Sequence, residues 1–257
     1  MKRKRLILKA ALWSAVATTA YFPVSLITTF HLYHHKDHDI EVYVQENLEQ
    51  IIQKQEEKIG INYPAERPKI EYVFPEKDID FGVMGIYNET RDTLYLPSGL
   101  LTKPEWDFND FIATVATFNG TYEVKKVIDH ELAHFYCDKI QEQSLGNSSH
   151  LFQRNLFLPE ERIANLLVNE GIAKYIEDKM NSNDQKIFPF EEWPSTLEQF
   201  SNKEIYLGGY TIVKPIIDKY GKKGIKFLLF NHPTPKETFR PSEYQQRILD
   251  EIARLEH

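Results

Sequence analysis

The chain has 257 residues, 42% of them hydrophobic, and a formal net charge of −7. About 220 residues follow an apolar N-terminal segment, enough for one compact core or for two small lobes. No basic patch, nucleic-acid motif, glycine-rich phosphate loop or internal repeat occurs in the sequence, so nucleic acid is excluded as a predicted partner. The single cysteine, Cys137, excludes an intrachain disulfide and is predicted to be a packed thiol.

The N-terminus is predicted to anchor the chain in a membrane. A basic block from Lys2 to Lys9 precedes 21 uncharged, mostly apolar residues, Ala10 to Phe30, and such a length can cross about 30 Å of hydrocarbon as a helix. The positive-inside rule places the N-terminus in the cytoplasm and residues 31–257 outside. A cleaved signal peptide is the alternative, but Thr18-Thr19-Ala20 is a poor cleavage site, which favours an uncleaved signal-anchor.

Two regions follow from this interpretation. Residues 1–38 form the predicted cytoplasmic terminus, anchor helix and juxtamembrane collar, and residues 39–257 form the predicted folded domain. The collar contains four histidines with no cysteine nearby, and we interpret them as polar residues beside the membrane rather than as a metal site. They are His31, His34, His35 and His38.

Hydrophobic periodicity predicts an α+β domain. An amphipathic helix over 40–59 precedes strands at about 70–74, 82–88 and 93–96, and a hairpin turn joins the last two strands. The remaining predicted elements are helices, starting at about 121, 160, 201, 221 and 241. Strands followed by a run of helices are typical of the α+β class.

One five-residue motif dominates the sequence: His130-Glu131-Leu132-Ala133-His134, or H-E-x-x-H. It lies in a helical apolar pattern, and positions i and i+4 of a helix share one face, so both imidazoles can bind one metal ion. Glu131 would then lie beside the metal and could take a proton from a bound water. A histidine pair at this spacing can also be a simple hydrogen-bonded pair, so the rest of the sequence has to decide.

A third ligand is available downstream. Glu170 lies 36 residues after His134, far enough for a helix, a loop and a returning helix. Catalytic zinc uses three protein ligands and one open position, and His-His-Glu is a known set. Asp138, four residues after His134, is predicted to accept the free ring N–H of a ligand histidine or to bond a neighbour. A structural zinc would need a fourth protein ligand, and Asp129 points about 100° away from His130 on a helix.

The sequence HELAH followed by NEGIAKY resembles the gluzincin metallopeptidases, whose pattern is H-E-x-x-H and then N-E-x-x-[AS]. The resemblance covers residues 121–180. It implies that His130, His134 and Glu170 bind Zn²⁺, that Glu131 is the general base and that Asn169 is the usual neighbour of the glutamate ligand. It also implies a zincin-like α+β fold, with a small antiparallel or mixed sheet lobe, a helical lobe and the zinc cleft between them.

Further features of the family have weaker counterparts in this chain. Gluzincins often use a downstream tyrosine to stabilise the oxyanion, and Tyr206 is preferred here over Tyr210 for that role. The family also binds extended substrate along an edge strand, for which Thr93–Leu96 is the candidate. Its aminopeptidase branch carries G-x-M-E-N, but Gly85 stands where that glutamate would be, which favours an endopeptidase.

The predicted function is therefore zinc-dependent peptide-bond hydrolysis at the outer face of a membrane, acting on a peptide or protein substrate. The alternative is a catalytically silent, membrane-tethered binding or scaffold protein that retains a peptidase fold. A complete set of two histidines, a base and a glutamate favours the enzyme, because a degenerate site usually loses one of them. The sequence leaves the substrate and the oligomeric state open.

Overall fold

The computed structural model describes the chain from Val42 almost to its end, with five internal gaps. The described residues are 42, 44–73, 86–97, 120–145, 159–182 and 186–256. The predicted basic block, anchor segment and histidine collar lie outside these residues. Within the described ranges, no helix is long and apolar enough to cross a membrane.

A small mixed sheet follows the first helix. Helix α1 covers 44–59, and the strands are β1, Lys69–Val73, β2, Ile86–Asn88, and β3, Thr93–Pro97. The strand order is β1-β3-β2, with β1 parallel and β2 antiparallel to β3. The predicted hairpin is confirmed, because β2 and β3 pair across the turn at 89–92, where Asp92 adopts a positive φ of 50°.

The sheet order corrects one prediction. Thr93–Leu96 was the candidate edge strand for binding substrate, but β3 is the central strand and pairs with a neighbour on each side. A central strand has no free backbone edge to offer a peptide. The prediction for Thr93–Leu96 is therefore wrong, and among the described strands β2 is the edge strand that contacts the motif helix.

Two long helices carry the motif residues. Helix α2 spans Gly120–Leu145 and contains the H-E-x-x-H sequence, while helix α3 spans Pro159–Asn181 and contains Glu170. Pro159 at the start of α3 and the acidic Glu160 and Glu161 in its first turn suit a helix N-terminus. The two helices pack against each other through fully buried side chains, which fixes the distance between their functional residues. These side chains include Leu132, Phe135, Ile172 and Ile176.

The C-terminal part is helical, and short irregular turns lead into its first long helix. Two short 3₁₀ turns at Phe190–Glu192 and Leu197–Gln199 precede a π-helical turn, Glu204–Gly208. Helix α4, Gly209–Phe230, follows directly, and Gly221 breaks it with φ 54° and ψ −136°, where two separate helices were predicted. A short helix α5, Pro235–Thr238, and helix α6, Pro241–Arg254, complete the chain.

One hydrophobic cluster joins α1, the sheet and the long helices. Its buried members come from each of these elements, for example Ile52, Leu94, Ile128, Ile212 and Ile248. The described part of the protein is thus mostly helical with a small three-stranded mixed sheet on a shared core. The predicted zincin-like arrangement stays a prediction.

Candidate metal centre

The motif helix presents two imidazoles side by side. His130 and His134 lie one turn apart on α2, with Nε2 atoms 3.2 Å apart and ring centroids 4.9 Å apart. His130 is buried, and the side chain of His134 is 18% exposed, so the pair sits at the edge of the core with one side accessible. This is the arrangement expected from the i, i+4 spacing.

Helix α3 brings a carboxylate to the same point. Oε2 of Glu170 lies 3.1 Å from Nε2 of His130 and 3.3 Å from Nε2 of His134. The three predicted metal-binding residues thus come together, although 36 residues separate Glu170 from the motif in sequence. The packing of α2 on α3 produces this convergence.

These atoms fit the requirements of zinc. Zn²⁺ binds imidazole nitrogen and carboxylate oxygen at about 2.0–2.2 Å, and two ligands of a tetrahedral centre at that distance are about 3.3–3.6 Å apart. The observed separations of 3.1–3.3 Å approach that value on all three sides. Among the described residues, no fourth histidine, cysteine, aspartate or glutamate joins the group, as a catalytic zinc site with one open position requires.

The charges around the group favour a cation. Burial by itself raises the pKa of Glu170, but the positive charge of His134 and the hydrogen bond from His130 outweigh burial and hold this pKa well below its ordinary value. Burial lowers the pKa of His130, yet the hydrogen bond with Glu170 and the nearby carboxylate of Glu177 raise it to about 10. The imidazoles therefore sit in a negative environment, which a divalent cation would neutralise.

Glu131 is held from the sheet side. It is buried, and its Oε2 accepts a 2.8 Å hydrogen bond from the backbone N–H of Tyr87 on β2. The Tyr87 hydroxyl also contacts Oδ1 of Asp92 at 2.8 Å and Oδ2 of Asp138 at 3.1 Å, while Lys139 pairs with Asp92 at 2.8 Å. These contacts fasten the β2–β3 hairpin to α2 beside the predicted base.

Asp138 takes only one of its two predicted roles. It bonds a neighbour, Tyr87, and it has no contact with either imidazole. Of the two predicted alternatives, the contact with a neighbour is the one that forms, because one further turn of α2 carries the side chain past His134 to the hairpin. Asn169, the other predicted neighbour of the site, donates to Oδ1 of Asn165 at 2.6 Å.

A different carboxylate faces the imidazole, and sequence reasoning missed it. Oε2 of Glu177 lies 3.3 Å from Nδ1 of His130, close enough for an ion pair although the ring N–H is not aligned for a hydrogen bond. Lys174 holds Glu177 with a 2.7 Å contact to its Oε1. The available signal was spacing: Glu177 follows Glu170 by seven residues, two turns along the same face of α3.

The two candidate tyrosines occupy different places. The ring of Tyr206 lies 5.7 Å from that of His130, and its side chain is partly exposed. Burial and the negative charges of Glu170 and Glu131 raise the pKa of Tyr206 well above its ordinary value. Tyr210 is buried and packs 6.5 Å from the ring of Tyr175. Tyr206 is therefore at the site, and Tyr210 belongs to the core.

Two residues close to the motif in sequence, Asp129 and Cys137, are not part of the metal-binding group. Oδ1 of Asp129 accepts a 2.9 Å hydrogen bond from Gln55 of α1, and its Oδ2 accepts one of 3.3 Å from Asn181. Gln55 also donates to the Asp129 carbonyl at 3.2 Å, so α1 supports α2 one residue before His130. Cys137 is buried, as predicted, and burial raises the pKa of its thiol.

Comparison of the chain with family models, with curated proteins and with solved structures finds no match. The resemblance to gluzincins consequently rests on the sequence motifs alone.

Proposed function

We propose that this chain is a zinc-dependent peptidase of the gluzincin type. The observation that carries the proposal is the triangle formed by Nε2 of His130, Nε2 of His134 and Oε2 of Glu170, with sides of 3.1–3.3 Å. Two helices far apart in sequence contribute to it, and its chemistry is that of a catalytic rather than a structural zinc site. His130, His134 and Glu170 would hold the zinc, and zinc bound there would lower the pKa of a coordinated water toward about 7, which would make that water the nucleophile.

The protein's own groups provide the proton transfers. Glu131 takes the proton from the attacking water and delivers it to the leaving amine, as a general base and then a general acid. The hydrogen bond from Tyr87 N–H to Oε2 keeps this carboxylate in one orientation. Tyr206, whose raised pKa keeps the phenol protonated, donates a hydrogen bond to the developing oxyanion.

The substrate is an extended peptide. Strand β2 is one of the two edge strands of the described sheet and lies beside Glu131, so an extended peptide can align there through backbone groups other than the Tyr87 N–H, which binds Glu131. Recognition through the backbone gives weak sequence preference. Gly85 replaces the glutamate that captures a substrate amine in the aminopeptidase branch, which supports an endopeptidase. The apolar segment from Ala10 to Phe30 supports an enzyme anchored in a membrane with this domain outside.

The test is a peptide-library digestion with the full-length protein in detergent. Cleavage products are identified by mass spectrometry for the protein as isolated, after treatment with a chelator, and after zinc is added back. Cleavage in the interior of peptides that disappears with the chelator and returns with zinc supports the proposal. Stoichiometric zinc without any cleavage would overturn it in favour of a silent binding or scaffold protein.

A further inference from the structure

The turn that carries Tyr206 is unusual. Residues Glu204–Gly208 form a π-helical turn directly before α4, and such turns occur mostly as single bulges in helices, frequently at functional sites. An extra residue in a helix rotates every side chain before it by about 100° relative to those after it. The direction of Tyr206 relative to α4 therefore depends on this turn being maintained.

On the α3 side, the backbone of Gly171 packs directly against that of Gly209, the first residue after the π turn. A Cβ atom at Gly171 would lie 2.5 Å from the carbonyl carbon of Gly209, and one at Gly209 would lie 2.2 Å from the carbonyl oxygen of Leu167. Gly171 directly follows Glu170, and Gly209 follows Tyr206 by three residues. The glycine contact thus fixes the spacing between the two helices next to the carboxylate ligand and the tyrosine.

On the other side, the turn is held by the hydroxyl of Thr211. This buried group donates to the carbonyl oxygen of Leu207, within the π turn, at 2.8 Å. It also accepts a 2.8 Å hydrogen bond from the backbone N–H of Phe188. A single hydroxyl therefore ties the π turn to the segment 186–200. The ring of Trp193 from the same segment covers Gly208, where a Cβ would be 2.8 Å away.

We propose that Thr211 is a positioning residue of the metal centre: its hydroxyl maintains the π turn against the segment 186–200, so that Tyr206 stays over His130 and Glu170. Among the described residues, no hydrogen bond joins Thr211 to any of the three metal-binding side chains, so we expect its effect on the site to pass through the turn that carries Tyr206. The inference rests on the proposed function, since it assigns a support to the hydroxyl that binds the oxyanion.

The experiment measures ligand binding without turnover. The full-length protein is loaded with Co²⁺, and acetohydroxamate is titrated while the visible cobalt spectrum is followed. Tyr206→Phe is expected to weaken acetohydroxamate binding roughly 10-fold, the effect of losing one charge-assisted hydrogen bond. Thr211→Val, which keeps the shape but removes the hydroxyl, is expected to weaken it by a similar factor. Thr211→Ser, which keeps the hydroxyl, should bind as the parent does.

The double variant decides between positioning and general destabilisation. If Thr211 acts through Tyr206, combining Thr211→Val with Tyr206→Phe weakens binding no further than Tyr206→Phe alone. Thr211→Ala, with its high helix propensity, serves the same purpose if the valine variant does not fold. Additive losses, or unchanged binding in a folded Thr211 variant, overturn the positioning role and leave the proposed function standing. A parent protein that binds no cobalt overturns the proposed function and this inference with it.

Discussion

The backbone N–H of Tyr87 donates a 2.8 Å hydrogen bond to Oε2 of Glu131, which joins the edge strand β2 to the centre of the metal-binding motif. Side-chain substitution cannot remove this donor, because it belongs to the main chain. The orientation of the predicted base is therefore set by the position of the hairpin on α2. One carboxylate oxygen is held, and the other can face the reacting water.

Glu131→Gln is expected to remove hydrolysis and leave zinc binding unchanged. The amide oxygen of glutamine can still accept the Tyr87 N–H, so the local structure should persist, but the amide cannot take a proton. We expect a loss in kcat of roughly 100-fold or more, the usual contribution of a general base. Peptide cleavage and zinc content by elemental analysis are compared with Glu142→Gln on the same helix. Retained peptidase activity in Glu131→Gln would refute the assigned base.

Glu170→Ala is expected to lower zinc affinity at least roughly 10-fold, since even the loss of a group outside the ligand set costs that much. A competition titration against a chromophoric chelator measures the change. Glu160→Ala, at the first turn of the same helix, is the matched control and should bind zinc as the parent does. Equal zinc affinity in both variants would show that Glu170 is not a ligand.

Glu177→Gln is expected to weaken zinc binding roughly 10-fold while the protein stays folded. The glutamine can still accept from Lys174, but it no longer places a negative charge 3.3 Å from Nδ1 of His130. The control is Glu142→Gln, which breaks a comparable 2.8 Å ion pair with Lys139 on α2. If the two variants bind zinc equally well, Glu177 does not orient the histidine.

Tyr206→Phe and Tyr210→Phe should separate the two tyrosines. Tyr206 lies over His130, so loss of its hydroxyl is expected to reduce kcat roughly 10–1000-fold with little change in KM, because the hydrogen bond forms only as the oxyanion develops. Tyr210 is a core residue, and its variant should change thermal stability more than turnover. Steady-state kinetics on one cleaved peptide provides the comparison. A larger loss of kcat in Tyr210→Phe than in Tyr206→Phe would assign the oxyanion role to Tyr210 instead.

Asp138→Asn is expected to stabilise the protein at neutral pH. Burial raises the pKa of Asp138 to about 6, although the Tyr87 hydrogen bond opposes this effect. A carboxyl with a raised pKa contributes its stability below about pH 4 and loses it as the pH rises through 6. Asparagine stays neutral, so the variant should gain on the order of 1–2 kcal/mol in unfolding free energy at pH 7.5.

Urea unfolding of both proteins between pH 4 and 8 measures this difference. The gap should narrow toward pH 4, where Asp138 is protonated in the folded state and roughly half protonated in the unfolded chain. Asp129, whose pKa burial also raises to about 6, keeps its own contribution in both proteins and does not affect the comparison. If the unfolding free energies of parent and variant change with pH in parallel, the pKa of Asp138 is not raised in the folded protein.

The local part of the site could be predicted from sequence because helical spacing determines it. His130 and His134 share a face of any helix that contains them, and α3 and α6 begin within one residue of their predicted starts. Glu170 was different: only its similarity to a known motif distinguished it from other helix carboxylates. Its distance to the imidazoles needed the packing of α2 on α3.

Relationships between distant elements could not be predicted in this way. The central position of Thr93–Pro97 depends on its parallel pairing with Lys69–Val73, which no local pattern encodes. Glu177 and Asp138 both lie on the correct helical faces, and only the relative approach of the helices and the hairpin decides which one meets an imidazole. The π turn at Glu204–Gly208 has no recognised single-sequence signature either, and it sets the direction of Tyr206.

Gln55 has a practical consequence for any attempt to shorten this chain from its N-terminus. Its amide supports the carboxylate and carbonyl of Asp129, immediately ahead of the first imidazole, and the neighbouring Ile51 and Ile52 are buried in the shared core. A truncated version that begins after residue 60 would discard all three. A shortened form of the chain therefore has to keep helix α1, residues 44–59, for the motif helix to retain this support.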